Sequence, residues 1–309
     1  MPKLPSSKAH KTPHEAARLA RIAVGVNERP EGRDAAVLGA ALARPTGAEV
    51  MLVAVIADPL VVPPVGVGWK DVRKQAHAAL ADLRDAVMPE ARIAVRTDVS
   101  VPRALRRVVA REHRDLLVVG SSPKAPEGSV RIGKRVRQLL GYAGCALAIA
   151  PRGLQHKTDF ALKRIGVGFD GGPESEAALL TAASISVAAG AELHVWGVVD
   201  DRAKSALWSR SHAAPEPNHL DDLARGELDV LYDRATASAR ALDPDAEVEI
   251  QRGRPADALL DLCADVDLMV IGSRRWGAIA RLLLGSTGES LAYHATCPIV
   301  IVPRTNERD

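Results

Sequence analysis

Short apolar runs alternate with amphipathic stretches along most of the chain. Residues 21–27 form a β-branched and apolar run closed by a polar turn from Asn27 to Gly32, and residues 33–44 then carry apolar positions at helical spacing until Gly47. The pattern continues with a strand over 50–56, a helix over 69–88, a strand over 92–97, a helix over 102–112, a strand over 115–120, a helix over 130–142 and a strand over 145–150. Five strands with interleaved helices predict an open parallel sheet covered on both faces, because each parallel crossover needs a helix. The runs LLVVG and LMVIG show no polar alternation, which marks strands buried on both sides.

The whole pattern occurs twice. Residues 21–57 match 164–200 at an offset of 143, while DLLVVGSS (115–122) matches DLMVIGSR (267–274) and CALAIAPR (145–152) matches CPIVIVPR (297–304) at an offset of 152. The difference is an insertion in the second half, placed in the polar loop around Arg202 to His219. The organisation expected is a basic tail (1–20), a first unit (21–152), a polar linker (153–163) and a second unit (164–304). The fold class is α/β: two tandem, open, five-stranded parallel-sheet α/β/α domains of Rossmann-like form.

Composition narrows the setting. Hydrophobic residues make up 47% and charged residues 26%, the balance of a soluble globular protein. The net charge of +3 is accounted for by the tail, where Lys3, Lys8, Lys11 and Arg18 stand against Glu15. The rest is neutral, which argues against dedicated nucleic-acid binding. Three cysteines are too few for a disulfide framework, and the N-terminus has no apolar leader, so a reducing cytoplasm is expected. The most apolar stretch, Val50 to Ala57, is far shorter than the ~18–20 residues of a membrane span.

In open sheets of this class ligands bind outside the carboxyl ends of the strands, where the strand order reverses. At that end of the second half, Gly272 leaves a buried strand, and Gly285-Ser286-Thr287 opens a helix. Glycine admits close approach of a ligand to the backbone, and a helix start favours an anion. Arg274, Arg275 and Arg281 bring three positive charges to this loop, which suits a polyanion. An ordinary helix cap and a solvated basic loop use the same residues.

The elements VGFDGGPES, GAELHVWGVVD, GRPADALL, DLMVIGSR and RLLLGSTGESLAYHATCPIVIVPR, with their first-half counterparts, resemble the universal stress protein family in its tandem form, over about 270 residues. The resemblance implies an adenine nucleotide alpha hydrolase-like fold, an ATP site and a role in stress response without a dedicated catalytic centre. The family signature is an Asp ending the first strand, a Val near the end of the second, and G-x2-G-x9-G-S/T after the fourth. The second half supplies Asp170, Val198, Gly272, Gly285 and Ser286, followed by Thr287. These residues, with Arg274 and Arg275, are the expected contacts for ATP or a related adenine nucleotide, alone or with Mg2+.

Arg275 stands where the family has its middle glycine. Its side chain either clamps the phosphates or fills their room, and in the second case the fold is an interaction scaffold that binds no nucleotide. The first half is more degraded, with Asn27 for the Asp, Pro123 for the middle glycine and Lys134 for the hydroxyl residue. Asn27 keeps a hydrogen-bonding group without the charge, Pro123 removes an N–H, and the loop SSPKAPEG reads as structural.

Other motifs are weaker. Gly128-SVRI-Gly133-Lys134-Arg135 lacks the hydroxyl of a phosphate-cradling loop and lies too far past its strand. Gly166, Gly168 and Gly171 spell a dinucleotide fingerprint, but the first two fall within a strand. His194, His212, His219 and His294 share no metal-ligand spacing, and Cys145 and Cys297 read as buried packing. Arg131, Lys134, Arg135 and Arg137 lie on the helix expected over 130–142, a basic face suited to solvent or an acidic partner. The final strands, CALAIAP and CPIVIVP, would be apolar sheet edges, and in this family the last strand is where domains meet. The two halves are therefore expected to pair there as an intrachain pseudo-dimer, leaving another surface for a homodimer.

Overall fold

The computed structural model describes residues 19–57, 68–140, 144–200, 217–273 and 284–303. The first half contains strands β1 (Arg21–Val26), β2 (Glu49–Ala57), β3 (Arg92–Asp98), β4 (Leu116–Gly120) and β5 (Ala146–Ala150), with helices α1 (Pro30–Thr46), α2 (Trp69–Val87), α3 (Val101–Arg111) and α4 (Lys134–Leu140). The second repeats this order with β6 (Arg164–Phe169), α5 (Pro173–Ala189), β7 (Glu192–Val199), α6 (Pro217–Arg240), β8 (Glu247–Arg252), α7 (Pro255–Leu262), β9 (Leu268–Gly272), α8 (Ser286–His294) and β10 (Ile299–Val302).

All strands join one ten-stranded sheet in the order β3-β2-β1-β4-β5-β10-β9-β6-β7-β8. Pairing within each half is parallel, and the halves meet where β5 and β10 pair antiparallel, with Ala148 opposite Val300. The closing strands are thus interior. β3 and β8 form the outer edges. One core layer packs α1, α2, α5 and α6 on one face, and a second packs α3, α4, α7 and α8 on the other; each layer draws residues from both halves. No helix among the described residues is long and apolar enough to cross a membrane.

The repeat extends to local devices. Both α1 and α5 begin with proline in the first turn, and both end at a glycine in the left-handed region, Gly47 at φ 64° and Gly190 at φ 61°. Asp115 Oδ2 accepts the N–H groups of Ala20 and Arg21, and Asp267 Oδ2 those of Lys163 and Arg164, so an acid before the fourth strand of each half anchors the entry to its first. Leu19 is buried, and packing therefore starts ahead of Arg21.

One sequence expectation needs correction. The helix expected over 130–142 begins only at Lys134, because Val130 and Ile132 lie in irregular backbone and donate their N–H groups to the carbonyls of Ala295 and Ala292 at 2.7 and 2.9 Å. Those carbonyls are the unpaired end of α8, so the first half caps a helix of the second. Arg131 consequently lies off the helix, and Arg137 stacks over the Tyr293 ring at 5.6 Å. The polar segment after residue 152 is also docked: Leu154 and Leu162 are buried, and Asp34 of α1 accepts the N–H groups of Gly153 and Gln155. The loop SSPKAPEG is held by bonds such as Ser121 Oγ to the Ala150 carbonyl at 2.8 Å and Ser122 N–H to the Arg131 carbonyl at 2.8 Å. Most of the insertion around Arg202 to His219 lies outside the described residues.

Candidate functional site

In the second half the chain leaves β6 to pair with β7 on one side and returns through β9 on the other, so the tips of β6 and β9 flank the point where strand order reverses. A cleft of about 510 Å³ opens there. It gathers Asp170, Val198, Gly272, Gly285 and Thr287, which are far apart in sequence. Ser286 is the first residue of α8 and is not among the lining residues. Arg274 and Arg275 lie outside the described residues, as does Arg281.

The walls have distinct chemistry. Trp196, Val198, Leu259 and Ile271 supply an apolar floor that suits a flat heterocycle. Asp170 stands exposed at the rim, its Oδ1 accepting the Gly172 N–H at 2.9 Å, a local turn that fixes the carboxylate at the strand end. Opposite, α8 starts at Gly285 in extended backbone without a side-chain cap, and Gly285, Thr287 and Gly288 face the cleft. An uncapped helix start directs N–H groups and partial positive charge outward, which suits phosphate oxygens. Among the described lining residues there is no Lys or Arg, so this helix start is the cationic wall.

Several lining residues escaped sequence reasoning. Trp196, Leu259 and Ile271 are buried and look like core, and they are core except at their ends toward the cleft. Gly168 lines the cleft for a reason unrelated to a dinucleotide motif: a Cβ there would lie 2.9 Å from Leu259 Cδ1, so the glycine lets α7 close on β6.

A family model described as the universal stress protein family matches residues 19–151 and again 161–303. The chain belongs to the universal stress protein family. It is similar to a universal stress protein of Mycolicibacterium smegmatis, 28% identical over 91% of this chain and 96% of that one. A Mycobacterium tuberculosis universal stress protein is 26% identical over the same shares of the two chains. Its fold is that of a solved universal stress protein from Archaeoglobus fulgidus, with a TM-score of 0.64 at 18% identity, covering 92% of this chain and 98% of that one.

As a tandem universal stress protein, the chain carries its own internal comparison. Asn27 makes the same turn as Asp170, its Oδ1 accepting the Arg29 N–H at 3.0 Å, so the geometry survives without the charge. Lys134 opens α4 where Ser286 opens α8, and Pro123 sits in the hydrogen-bonded loop before it. Elsewhere, His194 lies between Glu247 at 3.1 Å and Glu192 at 3.5 Å and stacks on Trp196, and no cluster of metal-binding side chains occurs among the described residues. Cys145, Cys263 and Cys297 are free and buried; burial pushes the Cys145 thiol up to about 12, and a hydrogen bond with Cys263 together with burial raises that of Cys297.

Proposed function

We propose that the second half binds ATP or a related adenine nucleotide in this cleft, and that the protein acts in stress response through occupancy of the site rather than through turnover. The observation that carries this reading is the convergence of an apolar floor, an acidic strand end and an uncapped helix start in one cleft of about 510 Å³. A cleft of this size is ordinary for a cofactor.

The residues fit such a molecule in three parts. The base lies on the apolar floor near Val198, the Asp170 carboxylate accepts hydrogen bonds from sugar or base, and the N–H groups at Gly285 to Gly288 receive the phosphates. Mg2+ would be carried in by the phosphates, since the carboxylates among the described lining residues are Asp170 and Glu174.

Isothermal titration of the full chain with ATP tests this reading, alongside analysis of any nucleotide released by denaturing the freshly purified protein. Saturable binding that Asp170→Ala weakens supports it. Absence of adenine-nucleotide binding removes it and leaves a scaffold. Steady hydrolysis abolished by Asp170→Asn would instead require a catalytic reading.

A further inference from the structure

The halves differ on the sheet face away from the nucleotide cleft. In the second half α6 is seated against β7 at Gly197, where Leu231 Cδ2 lies 3.0 Å from the position a Cβ would take. Arg234 of α6 packs over Gly171 and pairs with Glu176 of α5 at 3.5 Å, and Ser238 Oγ donates to Glu176 Oε1 at 3.2 Å. The repeat and the matching strand registers put Ala54, Glu28 and Arg33 at the positions of Gly197, Gly171 and Glu176. The α2 residues that line this space include the small Ala76 and Ala79 beside Val72, Leu80 and Leu83. With Ala54 on the strand below and two alanines on the helix above, a space is left between α2 and β2.

The result is a crevice of about 520 Å³ floored by Val26, Ile56, Val72, Leu80 and Leu83 together with those alanines. Its residues on α2 run from Val72 to Leu83, about 16 Å along the helix, so it is elongated. Its charged lining residues are Glu28, Arg29, Arg33 and Asp82, all exposed. Among the described residues, none of these four side chains makes an ion pair or hydrogen bond.

We propose that this crevice is a second ligand site, for a linear amphiphile with an apolar chain and a carboxylate head. Most of the lining is hydrocarbon, which is favourable for a chain, with Asn27 and Gln75 the uncharged polar side chains among the described lining residues. Two guanidinium groups, Arg29 in the turn before α1 and Arg33 in its first turn, supply the positive charge that an anionic head needs. Glu28 and Asp82 also line the crevice and add negative charge to it, so a singly charged carboxylate is favoured over a phosphate. The site is in the other half and on the other sheet face from the nucleotide cleft, and stands independently of it.

The test titrates the full chain with decanoate and with decanol, read by displacement of anilinonaphthalene sulfonate and by methyl NMR shifts of Val72, Leu80 and Leu83. Decanoate is expected to saturate one site and to bind about tenfold more tightly than decanol. The filling variant Ala76→Leu/Ala79→Leu should keep or raise the thermal midpoint and weaken decanoate at least about tenfold. Arg29→Gln/Arg33→Gln, which leaves the floor untouched, should erase the preference for decanoate, and ATP binding should be unchanged in both variants. Lack of saturable binding, equal affinity for decanol, or full binding by the filled variant overturns the proposal.

Discussion

Gly272 lies directly against the main chain of Glu174, so that a methyl group on Gly272 would overlap the Glu174 carbonyl. Gly120 meets Glu31 in the same way in the half whose nucleotide signature is degraded. The glycine at the end of the fourth strand is therefore demanded by the approach of the first helix, whether or not a ligand follows. Gly272→Ala and Gly120→Ala should each destabilise the fold by about 1–3 kcal/mol, measured by urea denaturation. Unchanged stability in Gly272→Ala with loss of nucleotide affinity alone would reverse this assignment.

That relationship shows what the sequence discloses and what it withholds. Period and repeat sufficed for the strands and for the sheet end to inspect, because strand ends are fixed by topology; the family resemblance singled out Asp170, Val198, Gly272, Gly285, Ser286 and Thr287, of which all but Ser286 line the cleft. They did not reveal why each residue is there. Trp196 and Leu259 read as core because burial along most of a side chain leaves no trace of the end that faces a cleft. Val130 and Ile132 sit two apart, as in a strand, but among helical neighbours; the carbonyls that bind them lie at the end of α8, some 160 residues later. Asp34 looked like one polar position on an amphipathic helix, and its partners come from the segment joining the halves.

Under the nucleotide reading, residues of the second cleft matter and their first-half counterparts do not. Asp170→Ala should weaken ATP by about tenfold through loss of a charged acceptor, and Gly285→Asp should do more by setting a carboxylate at the phosphate wall. Asn27→Ala should leave affinity unchanged. Trp196 lines the cleft, so quenching of its fluorescence gives a direct readout. Equal losses from Asn27→Ala and Asp170→Ala would move the binding event away from the second half.

Asp34 makes stability depend on pH. Burial pushes its pKa above the ordinary carboxylate value; the hydrogen bonds from Gln155 and Gly153 pull it partly back, and Glu127 and Glu31 add to the rise. A carboxyl raised in the folded state holds its proton better folded than unfolded. Its contribution is full below the unfolded value of about 3.9 and is lost as pH climbs through the folded value. The difference in urea midpoint between the native protein and Asp34→Asn should therefore fall as pH rises from about 3 and then level off. A difference that grows with pH would show that the ionised form is the one the fold favours.

The three cysteines should be silent toward a disulfide reagent while the protein is folded. All are buried, and the Cys145 thiol, pushed up to about 12, carries almost no thiolate near neutral pH. Reaction with a chromogenic disulfide at about pH 8 should give no rapid phase in the native protein and three thiols in denaturant. A fast native phase would mean that one of these sites opens readily.

The seam between β5 and β10 should make the two halves unfold together. Ala148 and Val300 are fully buried where they pair, and each core layer runs through the seam, with Leu147 and Ile301 on one side of the sheet and Ala148 and Val300 on the other. The capping of α8 by Val130 and Ile132 adds a second tie. One half unfolding alone would expose this apolar strand and strand the carbonyls of α8, so the partly unfolded state is disfavoured. Calorimetry should show one transition whose van't Hoff and calorimetric enthalpies agree. Ala148→Asp buries an unpaired carboxylate at the seam, at a cost of about 3–5 kcal/mol, and should both lower and split that transition. Two separate transitions already present in the native protein would mean that each half holds its fold without the other.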